Sequence, residues 1–138
     1  MTAPCHQVLI VDDDLVLLEL MGMILEQLAG GRWKVHTASQ AQAALDFLQR
    51  HPMDLLVVDV CMPGAGGLAL IREAHERYPH LLIAAISGDA PPGREEASLR
   101  EGAALFLEKP RSGDGWQAIQ AMLEERLRLA EETAPPRH

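Results

Sequence analysis

The sequence predicts an α/β fold in which five parallel strands form one sheet covered on both faces by five helices. Three observations predict it. Short apolar runs recur along the chain, at Val8–Val11, Leu55–Val58, Leu81–Ile86 and Leu105–Leu107, and none is long enough to be a helix. Segments with apolar residues at helical spacing lie between them. Gly and Pro punctuate the joins, and strict strand–helix alternation implies right-handed crossovers and a parallel sheet buried on both sides.

The elements follow in order. After the first strand, Leu15–Leu28 is rich in Leu and Met at helical spacing, with Asp13 or Asp14 as candidate N-cap and Gly30-Gly31 as terminator. Lys34–Ala38 is a short second strand. Ser39 is the expected cap of a second helix running to about Gln49, with Ala41, Ala44, Leu45 and Leu48 on one face and His51-Pro52 as its stop. Leu55–Val58 forms the third strand. A loop with Pro63, Gly64, Gly66 and Gly67 then leads to a third helix, Leu68 to about Arg77, ended by Pro79. Leu81–Ile86 is the fourth strand and Ser87–Gly93 a loop. A short polar helix near Arg94–Arg100 stops at Gly102, and Leu105–Leu107 is the fifth strand. The last helix starts near Asp114 and carries Trp116, Ile119, Leu123, Leu127 and Ala130 along one face; both Trp116 and Trp33 are expected to be partly buried.

The chain has 138 residues, 48% of them hydrophobic, enough for one domain with a core of ordinary size. The expected organisation is a lead-in at 1–6, a domain at 7–132 and a disordered tail at 133–138. A formal net charge of −8 argues against direct binding of nucleic acid or an anionic membrane, since phosphate binding draws on clustered Lys and Arg. Two cysteines, Cys5 and Cys61, give no disulfide framework, and six histidines show no metal-ligand spacing. No apolar stretch reaches membrane-spanning length and no leader pattern is present, so a reducing cytoplasm is the expected location.

Charge follows the apolar runs. Asp12-Asp13-Asp14 stand after the first, Asp59 after the third and Lys109 just beyond the fifth. In the flavodoxin-like strand order 2-1-3-4-5, strands 1 and 3 are neighbours at the topological switch point, where such folds place their ligand. Two carboxylates about 4 Å apart repel by roughly 4 kcal/mol at an effective dielectric near 20, a cost a hard divalent cation removes. Mg²⁺ suits such a cluster, taking one or two carboxylates, a carbonyl, waters and a phosphate oxygen. Asp59, a single acid at the end of an apolar strand below a Pro/Gly loop, is placed as a nucleophile that could form an aspartyl phosphate.

The patterns VDDD at 11–14, DLLVVDVCMPGAGG at 54–67, ISG at 86–88 and FLEKP at 106–110 resemble the receiver domain of bacterial two-component response regulators of the single-domain, chemotaxis type, over about Val8–Met122. The resemblance implies that Asp59 is the phosphoacceptor, and that Mg²⁺ is held by Asp13, Asp59 and the main-chain oxygen of Cys61, with Asp12 acting largely through water. It implies that Lys109 pairs with the phosphoryl group across a cis Lys109-Pro110 bond. The resemblance implies further that Ser87 would donate its hydroxyl to that group and that Phe106 would turn inward as the switch aromatic. It also implies a phosphoprotein that catalyses its own phosphorylation and dephosphorylation rather than a classical enzyme. Its partners would be a histidine kinase or histidine phosphotransfer protein, and a downstream protein bound on the face of helix 4, strand 5 and helix 5. It would be a monomer or a phosphorylation-dependent dimer.

Some positions depart from that pattern. Gly66-Gly67 replaces the usual Asp-Gly, suggesting a looser loop beside the phosphoacceptor, and Phe106 lacks the hydroxyl of the common Tyr. Cys61 and Asp89 stand where they could tune phosphoryl lifetime. Two alternatives compete. Asp12-x-Asp14-x-Val16 matches the opening motif of haloacid dehalogenase-like phosphatases, but no acidic pair follows a later strand and no cap insertion is present. A pseudo-receiver acting only as an interaction module would typically lose an acid or the lysine, and all are present here.

Overall fold

The computed structural model describes residues 5–63 and 66–133. Ten elements alternate along it: β1 (His6–Val11), α1 (Leu15–Ala29), β2 (Trp33–Ala38), α2 (Ala41–Arg50), β3 (Leu55–Asp59), α3 (Gly66–Arg77), β4 (Leu82–Ser87), α4 (Arg94–Glu101), β5 (Leu105–Glu108) and α5 (Gly113–Thr133). The strands form one parallel sheet in the order β2-β1-β3-β4-β5, the flavodoxin-like order expected from the sequence. Most of the expected lead-in and nearly all of the expected tail lie outside the described residues.

Side chains alternate across the strands and so divide the core in two. On one face Val8, Ile10, Val57 and Ile86 pack against Leu18, Met21 and Leu25 of α1 and Trp116, Ile119 and Leu123 of α5. On the other, Leu9, Val11, Leu56, Val58 and Ile83 meet Ala44 and Leu48 of α2 and Leu70, Ile71 and Ala74 of α3. Each Val, Leu, Ile or Met side chain among them that is fully removed from water contributes about 1.5–3 kcal/mol. Trp33, expected to be only partly buried, is 2% exposed within the first cluster. It begins β2 one residue earlier than its polar neighbour Lys34 suggests.

Local chemistry sets the ends of α1. Asp14 is its N-cap, with a side chain that accepts the Leu17 N–H at 3.1 Å, and Gly30 closes it in the left-handed region at φ 58°. The expected Ser39 cap of α2 is corrected: Gln40 holds that position and makes no side-chain cap bond. The reason is register, since β2 stays paired with β1 through Ala38 and α2 begins only at Ala41.

Parallel register gathers the strand ends. Val11 pairs with Val58, Asp59 with Ile86 and Ser87 with Glu108. Residues just beyond β1, at the ends of β3 and β4 and just beyond β5 therefore meet at one edge of the sheet. Ser87 is the last residue of β4, not the first of a loop, and its carbonyl accepts the Lys109 N–H at 2.7 Å.

Candidate functional site

Asp12, Asp13 and Asp59 converge at that edge, with one carboxylate oxygen from each lying within 4.8 Å of the others. Their settings differ. Asp12 is fully buried, its Oδ1 accepting the Asp14 N–H at 3.0 Å and its Oδ2 accepting from Lys109 Nζ at 2.7 Å. Asp59 is 4% exposed, with Oδ1 accepting the Cys61 N–H at 2.8 Å and Oδ2 accepting from Lys109 Nζ at 3.2 Å. Asp13 is exposed and is the acid of the three that faces solvent. A buried pair and an open acid, all hard oxygen donors, fit a divalent cation that keeps part of its water shell.

Burial pushes the Asp59 carboxyl above the usual carboxylate range. The Cys61 N–H opposes this, the Asp12 charge adds to it and Lys109 counters it. Burial also works against the Lys109 charge, but its hydrogen bonds and attraction to Asp12 and Asp59 outweigh that, and its pKa is raised. The ammonium thus bridges two acids and keeps a third donor for a further oxygen.

Ser87 is 1% exposed and its Oγ contacts Cys61 Sγ at 2.8 Å. Phe106 is half-buried against the α2/α3 cluster, beside Ala85 of β4. The expected cis Lys109-Pro110 bond is corrected, because there is no cis peptide among the described residues. The bond takes the trans form, which X–Pro linkages favour by roughly 0.5–1 kcal/mol.

Gly66 has room around it, whereas Gly67, which keeps the Gly of the usual Asp-Gly pair, is packed tightly. A Cβ built there would lie 2.6 Å from the Asp59 carbonyl oxygen and 3.0 Å from Val60 Cα. Backbone cannot yield as a flexible side chain does, so Gly67→Ala is expected to cost about 1–3 kcal/mol in chemical denaturation. Unchanged stability would show that α3 can move away from β3 freely.

The geometry also bears on the phosphatase alternative. Asp14 is committed to capping α1, and both oxygens of buried Asp12 are already hydrogen-bonded. The second acid of that motif is thus held as a cap and is not free for the acid–base role the phosphatase motif gives it.

A family model for the response regulator receiver domain matches residues 8–121. The chain belongs to that family. As a receiver domain it is a module of two-component signal transduction and not a classical enzyme. It is 38% identical over 104 residues to the response regulator protein FleR of Pseudomonas aeruginosa, covering 75% of this chain and 21% of that protein. It is 29% identical over 120 residues to the transcriptional regulatory protein CitT of Bacillus subtilis, covering 87% of this chain and 53% of that protein. The receiver therefore spans about a fifth of one relative and half of the other. Among solved structures, a CheY-like receiver domain protein from Methanospirillum hungatei superposes with a TM-score of 0.82 at 26% identity, covering 94% of this chain and 99% of that one. No described helix of the receiver is long and apolar enough to cross a membrane.

One surface went unread in the sequence. On α1, Leu15, Val16, Leu20 and Met23 are 65%, 79%, 49% and 64% exposed, starting directly beside the acidic cluster. The signal was present, because Leu15–Ile24 is interrupted only by Glu19 and Gly22 and holds more apolar residues than one buried stripe can use.

Proposed function

We propose that Asp59 accepts a phosphoryl group from a phosphohistidine donor, a histidine kinase or histidine phosphotransfer protein, in a Mg²⁺-dependent step. The observation that carries this reading is the state of Asp59: a buried carboxylate, oriented by Cys61 N–H and Lys109, in a cluster with two more acids. A carboxylate oxygen of Asp59 attacks phosphorus, the new O–P bond forms as the N–P bond breaks, and the imidazole leaves with the electron pair and takes up a proton. Attack of water on phosphorus later returns the carboxylate and releases inorganic phosphate. Receiver self-catalysis means this pair of steps.

Asp13, Asp59 and the main-chain oxygen of Cys61 would hold Mg²⁺, with Asp12 acting through water. Bound there, Mg²⁺ supplies positive charge that offsets the carboxylates and the transferring group. The free donor of Lys109 serves a phosphoryl oxygen. Ser87 leaves Cys61 Sγ to donate its hydroxyl to another, and Phe106 follows it inward, a local charge change biasing a two-state element. The exposed apolar start of α1 is read as the docking surface for the donor, since such a patch beside a reactive site marks a protein contact. A downstream partner is placed on the α4–β5–α5 face, and exposed apolar residues on two of those elements, Leu99 of α4 and Met122 and Leu129 of α5, support it. The receiver works in the cytoplasm, as a monomer or a phosphorylation-dependent dimer.

The test is incubation with acetyl phosphate. Intact mass is expected to rise by one phosphoryl group with Mg²⁺ and to stay unchanged in excess chelator. Labelling that persists in chelator, or steady turnover of a generic phosphate ester, would refute the reading.

A further inference from the structure

Arg94 is the first residue of α4, and its Nη1 donates to the Val60 carbonyl at 2.6 Å although 34 residues separate them. The ion pairs among the described residues do not include it, although the protein carries an excess of acids. Its own backbone is fixed, the N–H by the Pro91 carbonyl at 3.1 Å and the carbonyl by Ser98 Oγ at 2.8 Å. A guanidinium on a neutral carbonyl makes a charge-assisted bond, of the stronger class.

The partner on the far side of that carbonyl gives the contact its meaning. The Val60 C=O and the Cys61 N–H belong to one peptide unit, which is planar and rigid. Its carbonyl end is held by Arg94, and its N–H end donates to Asp59 Oδ1 at 2.8 Å. The preceding peptide is pinned as well, with Val60 N–H on the Ile86 carbonyl at 3.0 Å. A positive group on a peptide oxygen polarises the unit and makes its N–H a better donor, the cooperativity of linked hydrogen bonds.

We propose that Arg94 is a positioning residue of the phosphotransfer site, orienting and polarising the Val60–Cys61 peptide so that Cys61 N–H is held on the Asp59 carboxylate. The inference rests on Asp59 being the phosphoacceptor. Through this relay the first turn of α4 is coupled to the nucleophile without touching the reacting atoms, and the same N–H stays in place as negative charge builds on the transferring group.

The test compares the parent chain with Arg94→Met, which keeps length without donors, and Arg94→Lys, which keeps the charge. In unphosphorylated protein, the Cys61 amide proton resonance is expected to move upfield in Arg94→Met as its hydrogen bond weakens, and to stay near the parent position in Arg94→Lys. With acetyl phosphate and saturating Mg²⁺, the maximal rate of phosphoryl uptake is expected to fall about tenfold in Arg94→Met, the size of one weakened charge-assisted bond. The acetyl phosphate concentration for half-maximal rate should change less than twofold, and Arg94→Lys should recover most of the rate. A Cys61 amide that stays put in Arg94→Met, or a Lys variant as slow as the Met variant, overturns the proposal. A parent protein that takes no phosphoryl group overturns the functional reading instead, and the amide shift still decides whether Arg94 holds the peptide.

Discussion

Asp59→Asn is expected to abolish phosphoryl uptake from acetyl phosphate and, in metal-free buffer at neutral pH, to make the protein more stable. Loss of uptake follows because the amide is no nucleophile. The gain in stability follows from charge: three carboxylates share the site with one lysine, and burial together with Asp12 raises the Asp59 pKa in the folded state. A carboxyl with a raised folded pKa contributes stability that is present below its ordinary value near 3.8 and lost as pH rises through the folded value. At neutral pH the ionised form is therefore a liability that Asn removes, while its side-chain oxygen can still accept the Cys61 N–H. A rise of a few degrees in Tm, from about 1 kcal/mol, is expected in chelator, shrinking as Mg²⁺ is added. A lower Tm for Asp59→Asn in chelator would mean that Lys109 more than balances the acids.

The second large effect is that of Lys109→Ala. Lys109 Nζ ties Asp12 Oδ2 to Asp59 Oδ2, and its side chain is only 14% exposed. Removal leaves Asp12 fully buried with the Asp14 N–H as its remaining hydrogen-bond donor. Breaking a buried pair from one side typically costs about 3–5 kcal/mol, and a loss near 3 kcal/mol is expected here in chelator, partly restored by Mg²⁺. Losing one preorganised donor to the transferring group is expected to slow phosphoryl uptake about 100-fold. Urea denaturation with and without Mg²⁺, alongside the acetyl phosphate rate, checks both. A variant as fast and as stable as the parent would show that the ammonium is only a bystander to the acids.

Much of this site is legible from one dimension because parallel sheets translate sequence punctuation into space. Val8–Val11 and Leu55–Val58 read as buried strands since no polar residue interrupts them, and the acid after each must then arrive at the same sheet edge. Asp13 and Asp14 both precede an apolar helical pattern and so fit a cap from sequence, and the structure gives that role to Asp14. What stayed hidden was set by tertiary distance. Nothing in the string announces that Cys61 Sγ touches Ser87 Oγ or that Arg94 reaches Val60, since both depend on how the segment after β3 sits against the end of β4 and the start of α4. Ser87 reads as a loop residue because Gly88 follows it, whereas pairing with Glu108 extends the strand through it. That Gly67 is a close-approach residue follows only from the position of the Asp59 carbonyl, which the string does not give.

The most direct test of the central proposal is to locate the phosphoryl group. After reaction with acetyl phosphate and Mg²⁺, borohydride reduction converts an aspartyl phosphate to homoserine, and fragment mass spectrometry reads which residue changed. Conversion at Asp59 alone is the expected result. Conversion at Asp12 or Asp13, or a phosphoryl group that resists reduction because it sits on a hydroxyl or a histidine, would contradict it.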